Sequence, residues 1–303
     1  MDRRQKEDLR RLCAKRVQFE CSMSKFTTFQ VGGKAEALYE ACNLENLQAV
    51  IAYLNRENIG YLVLGRGSNL LVKDEGLEGV VIHLGGSLAN IREESRNGLD
   101  ILAGAGLPLI DLLAYCRASG LGGLEFLAGI PGTVGGAVAM NAGAFGKEAG
   151  DRVMEVHIVT ANGDMDVRDR SGLKFSYRGL QLEKGSVIIA SRLRIDLETQ
   201  EIVAKRIAGY LKKRKESQPL EYPSAGSVFK NPPNDFAGRL VEQVGLKGKK
   251  IGGAMISKKH ANYIVNTGGA TAKDIIGLMN LVRQKVKKET GIELEPEIQV
   301  AGK

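Results

Sequence analysis

The 303-residue sequence predicts an α+β protein of several lobes. Three observations carry that expectation. Residues 34–64 read as a strand, a helix and a strand; residues 153–197 read as successive strands around a hairpin turn; the last third mixes short strands with two helices.

Taken in order, residues 1–17 form a charged, amphipathic helical lead. From Lys34, Ala-Glu-Ala-Leu-Tyr-Glu-Ala alternates with the period of a strand. Asn43 has the short amide that accepts from the first free N–H groups of a helix, and Leu47, Val50, Ile51 and Leu54 follow at helical spacing. Tyr61–Leu64 is a buried strand, which completes a β-α-β unit.

Gly65-Arg-Gly-Ser-Asn69 follows that strand, where such a unit places a ligand loop. It is not a dinucleotide fingerprint, because Leu70 stands where the last glycine belongs and Leu70–Val72 continues as a strand before Lys73-Asp-Glu-Gly76 turns. A phosphate cradle and a plain turn both remain open for it. Strands are expected at Val80–Leu84, Leu88–Glu94 and Leu99–Ala103, then a helix opened by Pro108 with Leu109, Leu112, Leu113 and Cys116 on one face.

Ala128–Gly146 is the least ordinary stretch: eleven of its nineteen residues are Gly or Ala and none is charged. Glycine loses the most backbone entropy on ordering, so six in one segment need a reason. Close approach of a nucleotide cofactor to bare N–H groups is one reason, and close packing of a helix or bend in the core is the other.

Strands follow at Val153–Thr160, Met165–Arg168 and Val187–Leu197, with Asn162-Gly163 as a hairpin turn. A helix from about Thr199 to Lys215 ends before Pro219 and Pro223, which mark a boundary. Beyond it the expectation is a strand at Ser227–Lys230, a helix Phe236–Val244, and strands near Ala254–Ile256 and Tyr263–Asn266. The box Thr271-Ala-Lys-Asp274 then opens a helix buried through Ile275, Ile276, Met279, Val282 and Val286, and a last strand spans Glu293–Val300.

Composition narrows the function classes. With 43% hydrophobic residues, the chain can bury two or three ordinary cores. Its charged N-terminus has no signal-peptide core and no apolar run reaches membrane length, so a cytoplasmic protein is expected, a monomer by default. Cys13, Cys21, Cys42 and Cys116 are far apart with only three histidines in the chain, which suggests neither a metal site nor disulfides. Residues 205–303 carry 19 Lys and Arg against 9 Asp and Glu, while residues 1–204 carry 24 against 26. That field favours polyanions, and with 5% aromatics and no Trp, small phosphorylated molecules fit better than nucleic acid.

Five short patterns together resemble the UDP-N-acetylenolpyruvoylglucosamine reductase family over residues 24–300. They are Thr28-Phe-Gln-Val-Gly-Gly33, Gly65-Arg-Gly-Ser-Asn-Leu-Leu-Val72, Ala128–Gly146, Phe175-Ser-Tyr-Arg178, and Ser224-Ala-Gly-Ser-Val-Phe-Lys-Asn-Pro232 with Leu294-Glu-Pro-Glu297. The resemblance implies a two-lobed FAD-binding domain of the vanillyl-alcohol-oxidase type and a C-terminal α+β domain for the UDP-sugar. With the charged lead taken as 1–20, it further implies a first FAD lobe at 21–84 joined by a returning strand at 292–303, a second lobe at 85–200, and the substrate domain at 201–291. Relatives of this fold that attach FAD covalently carry a His or Cys near this loop; Ser68 and Asn69 imply non-covalent FAD. Only 49 positions separate Arg178 from Ser227, as in the shorter subclass without the tyrosine loop that closes over substrate.

By the same resemblance, FAD lies against Gly65, Arg66, Gly67, Ser68, Asn69 and Leu70. It also meets Gly129, Pro131, Gly132, Thr133, Gly135 and Gly136, and then Asn141, Ala142 and Gly143. NADPH is the implied reductant and UDP-N-acetylglucosamine enolpyruvate the substrate, on the way to UDP-N-acetylmuramate for the cell wall. Arg178 would stabilise the enediolate formed on hydride addition, Glu297 would hydrogen-bond the same carboxyl end if burial raised its pKa, and Ser227 would deliver the proton. Tyr177, Lys215, Lys230 and Asn231 are the implied substrate contacts, His260 a surface or phosphate-facing residue, and His83 and His157 structural. Another FAD oxidoreductase on the same fold, or a non-catalytic nucleotide- or RNA-binding protein, is the alternative.

Overall fold

The computed structural model describes residues 1–92 and 98–302. Two compact units emerge: Met1–Phe19, Ala37–Gly65 and Gly79–Lys212 form one, and Glu20–Glu36, Arg66–Glu78 and Lys213–Lys303 the other.

In the first unit, helix α1 (Arg3–Leu12) starts at a capping box in which Asp2 accepts from the N–H of Gln5 at 2.7 Å. Its Leu9 is fully buried, and Asp8 accepts from the Tyr53 hydroxyl on α2 (Leu44–Arg56) at 3.2 Å. Asn43 caps α2 as expected, accepting from Asn46 at 2.9 Å, and Leu47, Val50, Ile51 and Leu54 face the core. A four-stranded sheet runs in the order Val17–Ser22, Lys34–Ala41, Leu77–Leu84, Tyr61–Leu64, with the last two parallel.

A five-stranded sheet follows, ordered Met165–Asp169, Val153–Val159, Val187–Arg194, Asp100–Gly104, Ile91–Arg92, and antiparallel throughout. The hairpin at Asn162-Gly163 forms, with Gly163 at φ +89°. Of the strand expected at Leu88–Glu94 only Ile91–Arg92 is regular, and Glu93 and Glu94 lie outside the described residues. Helix α3 (Leu109–Ser119) buries its predicted face, with Pro108 just before it. The glycine-rich stretch contributes a short helix, α4 (Val134–Ala139), which periodicity did not show.

At the centre of this sheet a buried arginine bridges two strands. Arg192 donates to Asp100 Oδ1 at 2.8 Å and to Glu155 Oε1 at 2.9 Å, and Glu155 Oε1 also meets His157 Nε2 at 2.8 Å. His157 is therefore structural, as its strand position suggested.

Helix α5 (Gln200–Ser217) buries Val203 and Arg214 and exposes most of its remaining side chains. The second unit contains α6 (Ala237–Gln243), α7 (Ala272–Thr290) and a small sheet ordered Lys250–Ile251, Ala254–Ile256, Ile264–Asn266. Thr271 and Asp274 form the expected capping box, and Asp74 adds a second cap, accepting from Ala272 and Lys273 at 2.9 Å each. Ile275, Met279, Val282 and Val286 are buried as predicted, along with Leu278, while Ile276 is only half-buried. Each such side chain contributes roughly 1.5–3 kcal/mol on burial.

Two expectations differ. Ser227–Lys230 forms no regular strand but a single bridge, Phe229 to Pro296. The last strand is Gln299–Ala301 alone, paired in parallel with Leu70–Val72, because Glu295 and Glu297 bond instead to Lys230 and Val228. That pairing brings the C-terminal segment back to the strand after the Gly65–Asn69 loop.

No helix among the described residues is long and apolar enough to cross a membrane, and no cluster there could hold a metal ion. None of the four cysteines is in a disulfide, and burial pushes the Cys13 and Cys116 thiols up to about 12.

Candidate active site

The loop after Tyr61–Leu64 is shaped by contact with the segment at Thr28. Gly67 is buried at φ +61°, and a Cβ there would lie 2.2 Å from the Phe26 carbonyl. The N–H of Thr28 donates to the Gly67 carbonyl at 3.2 Å, which joins the Thr28–Gly33 pattern to the loop. Among the described residues the N–H groups of Arg66, Gly67 and Ser68 donate to no protein acceptor. Three such donors in succession suit phosphate oxygens, so this loop fits a dinucleotide's pyrophosphate. Asn69 ends it: its amide donates to the Glu297 carbonyl at 3.3 Å, and its own carbonyl accepts from Gln299 at 2.9 Å. Leu70 then enters the parallel pair.

The segment after Ser227 and the segment of Glu297 are joined by backbone bonds. The N–H of Glu297 donates to the Val228 carbonyl at 2.7 Å, and the N–H of Lys230 to the Glu295 carbonyl at 2.9 Å. On the opposite edge the Val228 N–H donates to the Asn262 carbonyl at 2.8 Å, and the Asn262 side chain pairs with both backbone groups of Phe229 at 3.0 and 2.8 Å. These bonds explain why no ladder forms at 227–230: a side chain occupies the place of a neighbouring strand. Ser227 and Glu297 are both half-buried.

Of the implied substrate contacts in this unit, Lys230 pairs with Glu295 at 3.2 Å and Asn231 accepts from Ala237 at 3.1 Å, at the start of α6. Lys215 is exposed on the last turn of α5, where its carbonyl accepts from Lys259 Nζ. His260 is not simply on the surface. It is half-buried, its ring edge-on to Tyr263 at 4.9 Å, and Nδ1 accepts from the Asn262 N–H at 3.2 Å. Burial, and then Lys247, hold its pKa below the ordinary value, so this lone pair stays available.

The glycine-rich stretch does not leave its helix N–H groups open. Val134 donates to Leu107 and Gly135 to Ala105, both at 2.9 Å, and Gly136 donates to Thr133 Oγ1 at 3.3 Å. Gly135 serves packing, since a Cβ there would lie 2.7 Å from that of Ala105, and a Cβ on Gly65 would lie 2.8 Å from Thr133 Oγ1. The phosphate nest expected of this stretch is thus absent at 134–136, because those donors already close the start of α4. Gly129 and Pro131 are exposed, and Gly132 is half-buried in a tight turn closed by its own N–H to Ile130 at 3.0 Å.

Arg178 sits in the two-residue turn between the strands Lys174–Ser176 and Gly179–Gln181. Its φ is +61°, a conformation that costs a side chain with a Cβ about 1–2 kcal/mol. Its guanidinium lies 5.1 Å from the Tyr177 ring centroid and donates to the Gly143 carbonyl at 3.3 Å. Asn141, fully buried, donates to the Ser176 carbonyl at 2.9 Å and to Glu148 at 2.7 Å, and accepts from Gly150 at 2.8 Å. Its polar atoms therefore secure the Arg178 hairpin. Ala142 continues the turn, donating to Ala137 at 2.7 Å.

Sequence reasoning missed Asn262, whose neighbours Lys258-Lys-His260 read only as basic surface. The one signal for it would have been an amide side chain in an otherwise apolar run.

Comparison with known proteins agrees with this architecture. Residues 35–167 match the model of an FAD binding domain, and residues 218–301 match that of the UDP-N-acetylenolpyruvoylglucosamine reductase C-terminal domain. The chain is 44% identical over 281 residues to UDP-N-acetylenolpyruvoylglucosamine reductase of Geobacter metallireducens and 41% to that of Caldanaerobacter subterraneus, covering 92% of each chain in both comparisons. The crystal structure of UDP-N-acetylenolpyruvylglucosamine reductase from Thermus caldophilus superposes with a TM-score of 0.81 at 37% identity, over 94% of this chain and 98% of that one. A vanillyl-alcohol-oxidase-type flavoprotein of Myceliophthora thermophila, 15% identical, shares the fold over 64% of this chain with a TM-score of 0.50. Domain content, identity and fold point the same way, and the chain belongs to the UDP-N-acetylenolpyruvoylglucosamine reductase family of flavin-dependent oxidoreductases.

Proposed function

We propose that this protein reduces UDP-N-acetylglucosamine enolpyruvate to UDP-N-acetylmuramate with NADPH, as a cytoplasmic, monomeric step in peptidoglycan precursor synthesis and hence in cell-wall growth, shape and division. FAD, held by the Gly65–Leu70 loop and the 129–143 stretch, would supply the hydride chemistry for the enolpyruvyl double bond, with NADPH as the source of the electrons. The observation that carries the reading is the Val228–Glu297 bond, which sets a hydroxyl and a carboxylate on neighbouring backbone within a match to the family's own C-terminal domain.

This chain's residues hold the charge and the proton. Hydride addition leaves the adjacent carbon as a carbanion delocalised into the substrate carboxylate. Arg178, always charged and forked, stabilises that enediolate, with Glu297 hydrogen-bonding the same end. Ser227 gives its hydroxyl proton to the carbon and regains one from solvent; as a weak acid it needs a cation nearby, a role for Lys230 or Lys215. Arg66, Gly67 and Ser68 offer N–H donors to the FAD pyrophosphate. Lys230, Asn231, Lys215 and Tyr177 receive the UDP-sugar, in the manner of the shorter subclass.

An anaerobic visible spectrum tests the reading. NADPH should bleach the yellow protein, UDP-N-acetylglucosamine enolpyruvate should restore the colour, and Ser227→Ala should slow only the second step. Protein that cannot be loaded with FAD, or that is bleached but not re-oxidised by this substrate, would overturn it.

A further inference from the structure

We infer that Asn262 is a positioning residue for proton delivery, fixing Ser227 through the backbone of Val228 and Phe229; this rests on the proposed role of Ser227. The amide of Asn262 presents one acceptor and one donor to Phe229, accepting its N–H at 3.0 Å and donating to its carbonyl at 2.8 Å. That is the pair of bonds an antiparallel strand would make. The reverse orientation would oppose donor to donor and acceptor to acceptor, so only one orientation is stable. Asn262 is 4% exposed, where an unpaired amide is costly and a paired one is rigid.

Asn262 is itself anchored. Its N–H donates to His260 Nδ1 at 3.2 Å, and its carbonyl receives the Val228 N–H at 2.8 Å. Behind it, Ser257 Oγ accepts from Lys259 and His260 at 3.1 and 3.3 Å, and the Ser257 N–H donates to the Tyr263 carbonyl at 2.8 Å. The opposite edge of the segment is held by the Glu297 and Lys230 bonds to residues 228 and 295.

The two sides of Ser227 differ. Before it, Gly226 has φ +76°, and a Cβ placed there would meet nothing within 4 Å. After it, Val228 and Phe229 are buried and bonded on both edges. The hydroxyl therefore stands one residue from a firm clamp and one from an open glycine, and the clamp sets its place.

The test separates the two half-reactions in Asn262→Ala and Asn262→Asp, with Ser227→Ala run beside them. Aspartate keeps the volume and the acceptor for Phe229 N–H but opposes an oxygen to the Phe229 carbonyl. The expected result is FAD content and NADPH-driven bleaching within about twofold of wild type, and substrate-driven re-oxidation slowed by about 100-fold, the scale of an ångström misplacement. Adding Asn262→Ala to Ser227→Ala should slow re-oxidation no further. Exchange of the Phe229 amide should also quicken about tenfold in Asn262→Ala, as expected for one lost hydrogen bond.

If Ser227→Ala re-oxidises at the wild-type rate, the proton-donor reading fails. If Ser227→Ala is slow but both Asn262 variants are not, the positioning inference fails alone. Equal slowing of both half-reactions, or loss of soluble protein in both variants, would also overturn it, because Asn262 would then serve the fold as a whole.

Discussion

The N–H of Glu297 donates to the carbonyl of Val228 at 2.7 Å, so the residue after Ser227 and the backbone of the carboxylate move as one piece. Two groups tied in this way should not act independently. Ser227→Ala is expected to slow substrate-driven re-oxidation by about 10²–10⁴-fold, and Glu297→Gln by a comparable factor. The double variant should fall short of the product of the two by at least about 0.5 kcal/mol of coupling, read from a stopped-flow double-mutant cycle.

Arg178 should show opposite effects on activity and stability. Arg178→Lys loses the forked donor and is expected to cost about 10²–10³-fold in turnover. Because the residue sits at φ +61°, Arg178→Gly should be about 1 kcal/mol more stable to denaturant than Arg178→Ala, which keeps a Cβ in the left-handed region. Equal midpoints for these two inactive variants would show that the turn relaxes without strain.

Asp74 caps α7 from a distant part of the sequence, with each carboxylate oxygen accepting from one N–H at 2.9 Å. Asp74→Ala should destabilise the protein by about 1–2 kcal/mol, more than an ordinary exposed substitution. Chemical denaturation checks it, and Asp74→Asn should recover part of the loss.

Acid should weaken the turn that carries Asn262. Burial holds the His260 pKa below its ordinary 6.5, so the folded protein keeps the ring neutral while the unfolded chain takes up a proton. The stability this gives is present above the unfolded value and is lost as pH falls through the folded one. His260→Gln should flatten the pH dependence of the denaturation midpoint on the acid side of 6.5 and leave it unchanged at neutral pH.

What could be read from the sequence was what short-range rules govern. Asn43 and Thr271 cap their helices because a cap needs only the next three residues, and Asn162-Gly163 turns because its backbone preference is its own. The segment at Ser227 looked like a strand, but its partner is an amide 33 residues later in the chain. The glycines at 135 and 136 suggested open donors, yet those N–H groups are taken up by Ala105 and by Thr133, and no local pattern shows where an N–H points. Asn141 reads as part of a cofactor wall, while its side chain reaches Ser176, Glu148 and Gly150. Arg178, Ser227 and Glu297 came from resemblance alone, since an isolated Arg, Ser or Glu has no periodicity to betray it.

The parallel pairing of Gln299–Ala301 with Leu70–Val72 has a consequence for biosynthesis. On the ribosome the loop at Gly65–Asn69 is made early, but its anchors at Glu297 and Gln299 emerge more than two hundred residues later. Until then the bonds of Asn69 to Glu297 and Gln299, and the pairing of Val72 with Ala301, cannot form. Closing so distant a contact is slow, and the exposed edge of Leu70–Val72 is a site where chaperones or a second nascent chain would bind in the interval. A translation product stalled before Leu294 would therefore have most of its amino acids and still lack the bonds that hold the end of the loop at Asn69.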